Sequence, residues 1–154
     1  MKIQERIEYL TNELNAAINS KKLTYEQTKE ISDCGIYLIS KNDKFIYIGK
    51  TNRTGKVRLR ELAVDYRSHT FNKKILRALL SKIHKKDYSP LKRDSKKRLI
   101  EEGVLTLEEF IKIQSKVNDM IKTELDFQFY KFQSEKVLEL EHFAIAVLNP
   151  KMND

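Results

Sequence analysis

The sequence predicts one mixed α+β domain. Residues 35–49 read as two short apolar strands on either side of a turn-like "KNDK". Elsewhere apolar residues recur at three- and four-residue steps, the period of a helix face. Four glycines and two prolines in 154 residues are too few for a disordered chain or a loop-rich all-β one. The length suits a single core, and 40% apolar residues are enough to fill it.

From the N-terminus, Ile3, Ile7, Leu10, Leu14 and Ala17 lie on one helical stripe. It either packs on the core or forms a short coiled-coil seam for a homodimer or a partner; about two heptads are too few to hold alone, which favours the core. Thr24 with Gln27 resembles a capping box opening a short helix. Ile36–Ile39 then face Phe45–Ile48 as a core hairpin. Two helices follow, one containing "VRLRELAV", the next starting near Thr70 or Asn72 and carrying Phe71, Ile75, Leu79 and Ile83.

Residues 85–124 read as a helical insertion. Ser89-Pro90 opens its first helix, Gly103 closes it, and Thr106 with Glu109 caps the next, "LEEFIKIQSKVNDMI". "ELDFQFYKF" is a strand with Leu125, Phe127 and Phe129 on one face. Ser134 caps a last helix, "EKVLELEHFAIAVL", which Asn149-Pro150 stops.

Thirty lysines and arginines against 22 acids give +8, a balance that favours a polyanionic partner such as nucleic acid. No apolar run approaches a membrane span, and "MKIQERIEYL" lacks a signal-peptide core, so no membrane partner and a cytoplasmic location are the default expectations. Cys34 is the only cysteine, which excludes an internal disulfide and a cysteine-based zinc site. The runs "NKKILRALLSKIHKK" and "KRDSKKR" suit phosphate contact, or are simply solvated helix faces.

One residue conflicts with its surroundings. Val137, Glu141, Ala144 and Leu148 share a stripe of the last helix, so Glu141 is a carboxylate among apolar neighbours. Such a group must be paired, hydrogen-bonded, protonated or metal-bound. A salt bridge to a nearby lysine or arginine is one answer; a magnesium ion, which needs only one or two protein carboxylates, is another. Glu139 and His142 fall on the solvated side.

"GIY" at 35–37, a nine-residue spacer, "YIGKT" at 47–51, an arginine on the following helix, Glu141 on a late helix and a terminal "NPKMN" together resemble the GIY-YIG nuclease superfamily. The likeness covers roughly residues 33–83 and 134–153, with 1–31 as an N-terminal extension and 85–124 as the insertion. It implies a three-stranded antiparallel sheet flanked by helices, and cleavage of DNA phosphodiesters with one divalent metal, Mg²⁺ or Mn²⁺. By this resemblance Tyr37 and Tyr47 are the motif tyrosines, Gly49 and Lys50 close the second strand, Glu141 is the metal ligand and Asn153 a supporting asparagine. Arg58, in "RLREL", is the better match for the phosphate-contacting arginine, with Arg60 the alternative. Leu62 stands where family members often carry a tyrosine or histidine, and His69 is either a substrate contact or a helix-start histidine.

The expected chemistry is in-line attack of water on a DNA phosphate, with Tyr37 as general base and Tyr47 positioning water or phosphate. A phenol titrates near ~10, so the base needs a neighbour such as Lys50 that favours its ionised form. A non-catalytic nucleic-acid-binding or regulatory protein of the same fold is the competing expectation, and Leu62 favours it. The nuclease also makes a demand on register. If Ser40 pairs with Phe45, Tyr47 lies opposite Leu38, and Tyr37 points to the other face. An odd loop or a bulge in "SKNDKF" is needed to put both tyrosines on one face.

Overall fold

A computed structural model describes residues 2–88 and 90–153. Among them the order is α1 (Ile3–Ile18), a 3₁₀ turn (Glu26–Glu30), β1 (Gly35–Lys41), β2 (Lys44–Thr51), α2 (Gly55–Arg60), a 3₁₀ turn (Glu61–Ala63), α3 (Thr70–His84), α4 (Ser95–Glu101), α5 (Leu107–Glu124), β3 (Asp126–Lys131), α6 (Val137–Leu148) and a 3₁₀ turn (Lys151–Asn153). The strands form one antiparallel sheet in the order β2-β1-β3. This is the mixed α+β architecture that the sequence predicts.

The described residues group into two compact units, Met1–Leu59 with Thr123–Asp154, and Arg60–Lys122. The sequence reads 85–124 as an insertion within one domain; the second unit is wider and takes in residues 60–84 with α3. An amide network there explains the difference. Asn72 donates to the Leu62 carbonyl at 2.8 Å and to Asn118 Oδ1 at 2.9 Å. Gln114 donates to Asn72 Oδ1 at 2.9 Å and accepts from the Tyr66 N–H at 3.0 Å. These bonds tie α3 and the chain around Leu62 to α5, and no periodicity in the sequence announces them. Asn72 is fully buried. Asn72→Ala therefore strands a carbonyl and an amide, and an expected loss of about 2 kcal/mol should appear in urea unfolding.

In the first unit Ile36, Leu38 and Ile48 present one sheet face to Leu10, Leu14 and Ala17 of α1 and to Leu140 and Ala144 of α6. The α1 stripe is used only in part: Ile3 is 79% exposed and Ile7 51%. Arg6 of α1 pairs with Glu139 of α6. Gln128, buried on β3, donates to the carbonyls of Ile18 at 2.7 Å and Ser20 at 2.8 Å, supplying partners where α1 runs out of N–H donors. The other face carries Tyr37, Ile39, Tyr47 and Phe127. Leu23 bridges to Phe127 through two backbone hydrogen bonds, and the Tyr25 ring meets Phe127 edge-on at 5.7 Å.

The local signals hold in most places. Thr24 and Gln27 form a reciprocal capping box (2.9 and 3.2 Å), as do Thr106 and Glu109 (3.3 and 3.1 Å). Gly103, at φ 73°, ends α4 in a Schellman arrangement, its N–H on the Ile100 carbonyl and that of Val104 on Leu99. Asn149 ends α6 at φ 45°.

Three expectations are corrected. Helix α4 opens at Ser95, not at Pro90, and Ser89 lies outside the described residues. Helix α6 opens at Val137 from Lys136, leaving Ser134 in the preceding turn. On α3 the buried side is Phe71, Asn72, Ile75, Leu76 and Leu80, while Ile83 is exposed. A strict four-residue step advances ~40° per repeat around a helix with 3.6 residues per turn, so by Ile83 the stripe has left the core.

Candidate functional site

The hairpin meets the register demand in an unexpected way. Its turn has two residues, Asn42 and Asp43, at φ 51° and 62°, the left-handed pair that suits a tight hairpin. Ser40 does pair with Phe45, but the register shifts between Ile39 and Ser40, so that Ile39 pairs with Tyr47. Ile46 is the extra residue of a β-bulge, one position beyond "SKNDKF". Tyr37, opposite Gly49, therefore shares a face with Tyr47, and the two rings lie 6.3 Å apart.

Glycine at 49 is a steric necessity. A Cβ there would come within 2.2 Å of Tyr37 Cζ and Oη. The β1 phenol thus lies across the bare backbone of its partner strand, and its hydroxyl reaches Arg58, which donates a hydrogen bond to it. Gly35 has a similar constraint, because a Cβ there would meet the Tyr130 carbonyl oxygen at 2.0 Å. At both motif glycines a neighbouring group crosses the strand too closely to leave room for a side chain.

Glu141 lies half-buried on α6. Burial pushes its carboxyl above the usual carboxylate range, and the positive charges of Lys50, His142 and Arg58 oppose that shift. Burial also drives the Tyr37 hydroxyl well above the ordinary phenol range, Tyr47 and Glu141 push it the same way, and Arg58 pulls it down. Tyr47 is raised for the same first reason, again with Arg58 lowering and Glu141 raising. Two phenols, a guanidinium, an ammonium and a carboxylate are thus close enough to act on one another's charge.

Asn153 holds the edge of this arrangement. Its Oδ1 accepts the Ile48 N–H at 2.9 Å, and its Nδ2 donates to the Ile48 carbonyl at 2.8 Å. Ile48 lies on an outer strand, so one side chain occupies a place where a further strand would bond. Its support is positional: it pins the strand between Tyr47 and Gly49.

Of the remaining predicted residues, Arg60 is exposed and belongs to the second unit. His69 is only 3% exposed and caps α3, its Nδ1 accepting the Phe71 N–H at 3.0 Å. This matches the helix-start alternative. Leu62 is fully buried. Spacing alone does not reveal Asn153's two bonds or the crowding at Gly49, although a glycine inside an apolar strand is itself a signal of close approach.

Among the described residues no three His, Cys, Asp or Glu side chains come together. A metal centre with several acidic ligands is therefore missing from those residues. A single half-buried carboxylate, its charge disfavoured by burial, still fits Mg²⁺ or Mn²⁺ as an ion that keeps most of its waters. No helix among them is long and apolar enough to cross a membrane. Compared with family models, with curated proteins and with solved structures, the chain matches none.

Proposed function

We propose that the chain is a metal-dependent DNA endonuclease of the GIY-YIG type, hydrolysing phosphodiester bonds at Tyr37, Tyr47, Arg58 and Glu141. The observation that carries this is the convergence of the two tyrosines on one face beside Arg58 and Glu141, through a bulge that regular pairing does not require.

The residues divide the work by their surroundings. Arg58 contacts the scissile phosphate and offsets its developing charge, a role suited to a planar guanidinium. Tyr37, 1% exposed, stays neutral and positions Arg58 through the hydrogen bond between them. This changes the base role expected from the sequence, because burial opposes a Tyr37 phenolate. Tyr47, at 9% exposure, is the phenol better placed to meet water. Glu141 is the ligand for Mg²⁺ or Mn²⁺, which when bound supplies charge stabilisation at the phosphate and its leaving oxygen. Offsetting the charge of Glu141 also removes one of the influences that raise both phenols. The test is nicking of supercoiled plasmid with and without Mg²⁺; a wild-type protein that leaves the plasmid intact would overturn the assignment.

The pH profile offers a second check. Protonated Glu141 cannot hold a cation, and its carboxyl is raised, so at limiting Mg²⁺, where the cation does not outcompete the proton, the acidic limb of nicking should lie above the ordinary glutamate value of ~4.3. Lys50 is the first of the charges that lower it. In Lys50→Met that limb should move to still higher pH. A limb that stays in place would remove Lys50 from the site.

A second reading, nucleic-acid binding without catalysis, is favoured by the same burial of both phenols. It expects salt-dependent DNA binding by a protein that never nicks, whatever the metal.

A further inference from the structure

The chain's excess charge is segregated. Residues 60–122 carry sixteen lysines and arginines against nine acids, seven of the net eight positive charges. Helix α3 has Lys73, Lys74, Arg77 and Lys82, and no acid, in its fifteen residues. This unit also holds a groove of ≈ 330 Å³ between the chain after α3 and helix α4. Tyr88, Leu91 and Leu99 form its aromatic and apolar wall, and Lys86, Lys92 and Arg98 supply cations around it.

The groove is a built feature. His84 Nδ1 and the Tyr88 hydroxyl are 3.0 Å apart and their rings meet nearly perpendicular, which fixes the tyrosine ring from one side. Lys86 Nζ lies 5.7 Å from the centre of the Tyr88 ring. The start of α4 is held by Tyr66, whose hydroxyl donates to the Arg93 carbonyl at 2.7 Å and accepts the Lys96 N–H at 3.2 Å. Asp87 and Glu102 also line the groove, and Glu102 offers acceptors to the amino or ring N–H groups of a base.

We infer that this groove is a nucleotide subsite, which takes an unpaired base of a single-stranded DNA segment against Tyr88 with the adjoining phosphates on Lys86, Lys92 and Arg98. An aromatic face beside cations is the combination that holds single strands without reading their sequence, because every base has a π-face to stack. In an intact duplex the bases are stacked on one another and offer only their edges in the grooves. The inference rests on the nuclease proposal only in taking DNA as the strand.

The test is binding rather than cutting. Fluorescence anisotropy is measured in EDTA on a Glu141→Gln background, with labelled single-stranded DNA and a blunt duplex of the same sequence. The single strand should bind more tightly. Tyr88→Ala should weaken it about tenfold, whereas Tyr88→Phe should stay close to the parent. Changing Lys86, Lys92 and Arg98 together to glutamine should lower the slope of log affinity against log salt by about 2. Unchanged binding by Tyr88→Ala, or a blunt duplex that binds as tightly as the single strand, would overturn the subsite. Either result leaves the nicking assay to judge the nuclease separately, and a protein that binds as described but never nicks would count against the nuclease alone.

Discussion

Glu141→Gln should cut metal-dependent nicking by about a thousandfold while leaving the melting temperature unchanged or higher. The two halves of this result have one cause. The carboxyl is raised because burial disfavours its charge more than Lys50, His142 and Arg58 favour it. A raised acid is easiest to fold when protonated, so its contribution to stability is fullest below the unfolded value and falls as pH rises through the folded one. At neutral pH the ionised side chain therefore weighs against folding, and glutamine removes that charge at similar shape. A glutamate kept for a stabilising ion pair behaves in the opposite way, losing stability when neutralised and leaving catalysis alone. Thermal melts beside plasmid nicking separate the two. Arg58→Lys supplies the companion result: it keeps the charge but loses the planar donor fork, and should slow nicking about a hundredfold. Full nicking by Glu141→Gln would remove the metal-ligand role.

Gly35→Ala and Gly49→Ala should both be severe, and in different ways. At Gly35 the added methyl would meet the Tyr130 carbonyl oxygen at 2.0 Å and the Lys131 Cα at 3.1 Å. These are backbone atoms of β3, so relief requires the two strands to part, and a loss above about 3 kcal/mol is expected. At Gly49 the obstacle is the tip of the Tyr37 ring, held at 1% exposure and bonded to Arg58. Here the chain can fold with the ring displaced, for about 1–3 kcal/mol, but the Arg58 contact goes with it and nicking should fall as far as in Arg58→Lys. Adding Tyr37→Leu to Gly49→Ala should return part of the stability and none of the activity, because the smaller side chain makes room but brings no hydroxyl. Denaturant titration of the four proteins in that cycle measures the coupling. An additive cycle would mean that Tyr37 does not lie across Gly49.

The local signals were the most legible. Thr24–Gln27, Thr106–Glu109, Gly103 and Asn149 each depend on groups within a few residues, so the chain states them directly. Glu141 could be singled out because a carboxylate in an apolar stripe is costly wherever the helix packs. The sequence could also pose the register question, because side chains alternate along a strand.

It could not answer that question, because a bulge at Ile46 depends on what the second strand finds on either side. Nor could it join α3 to α5, because Asn72, Gln114 and Asn118 meet across intervals of up to 46 residues. The direction in which the Tyr37 and Tyr47 hydroxyls titrate depends on how deeply distant segments bury them, and a motif carries no record of depth. By itself the sequence determined which elements form and which side chains are out of keeping with their neighbours. Only the tertiary structure decided which face each tyrosine takes, which arginine sits beside them, and that His69 caps a helix, because those outcomes follow from contacts between residues far apart in the chain.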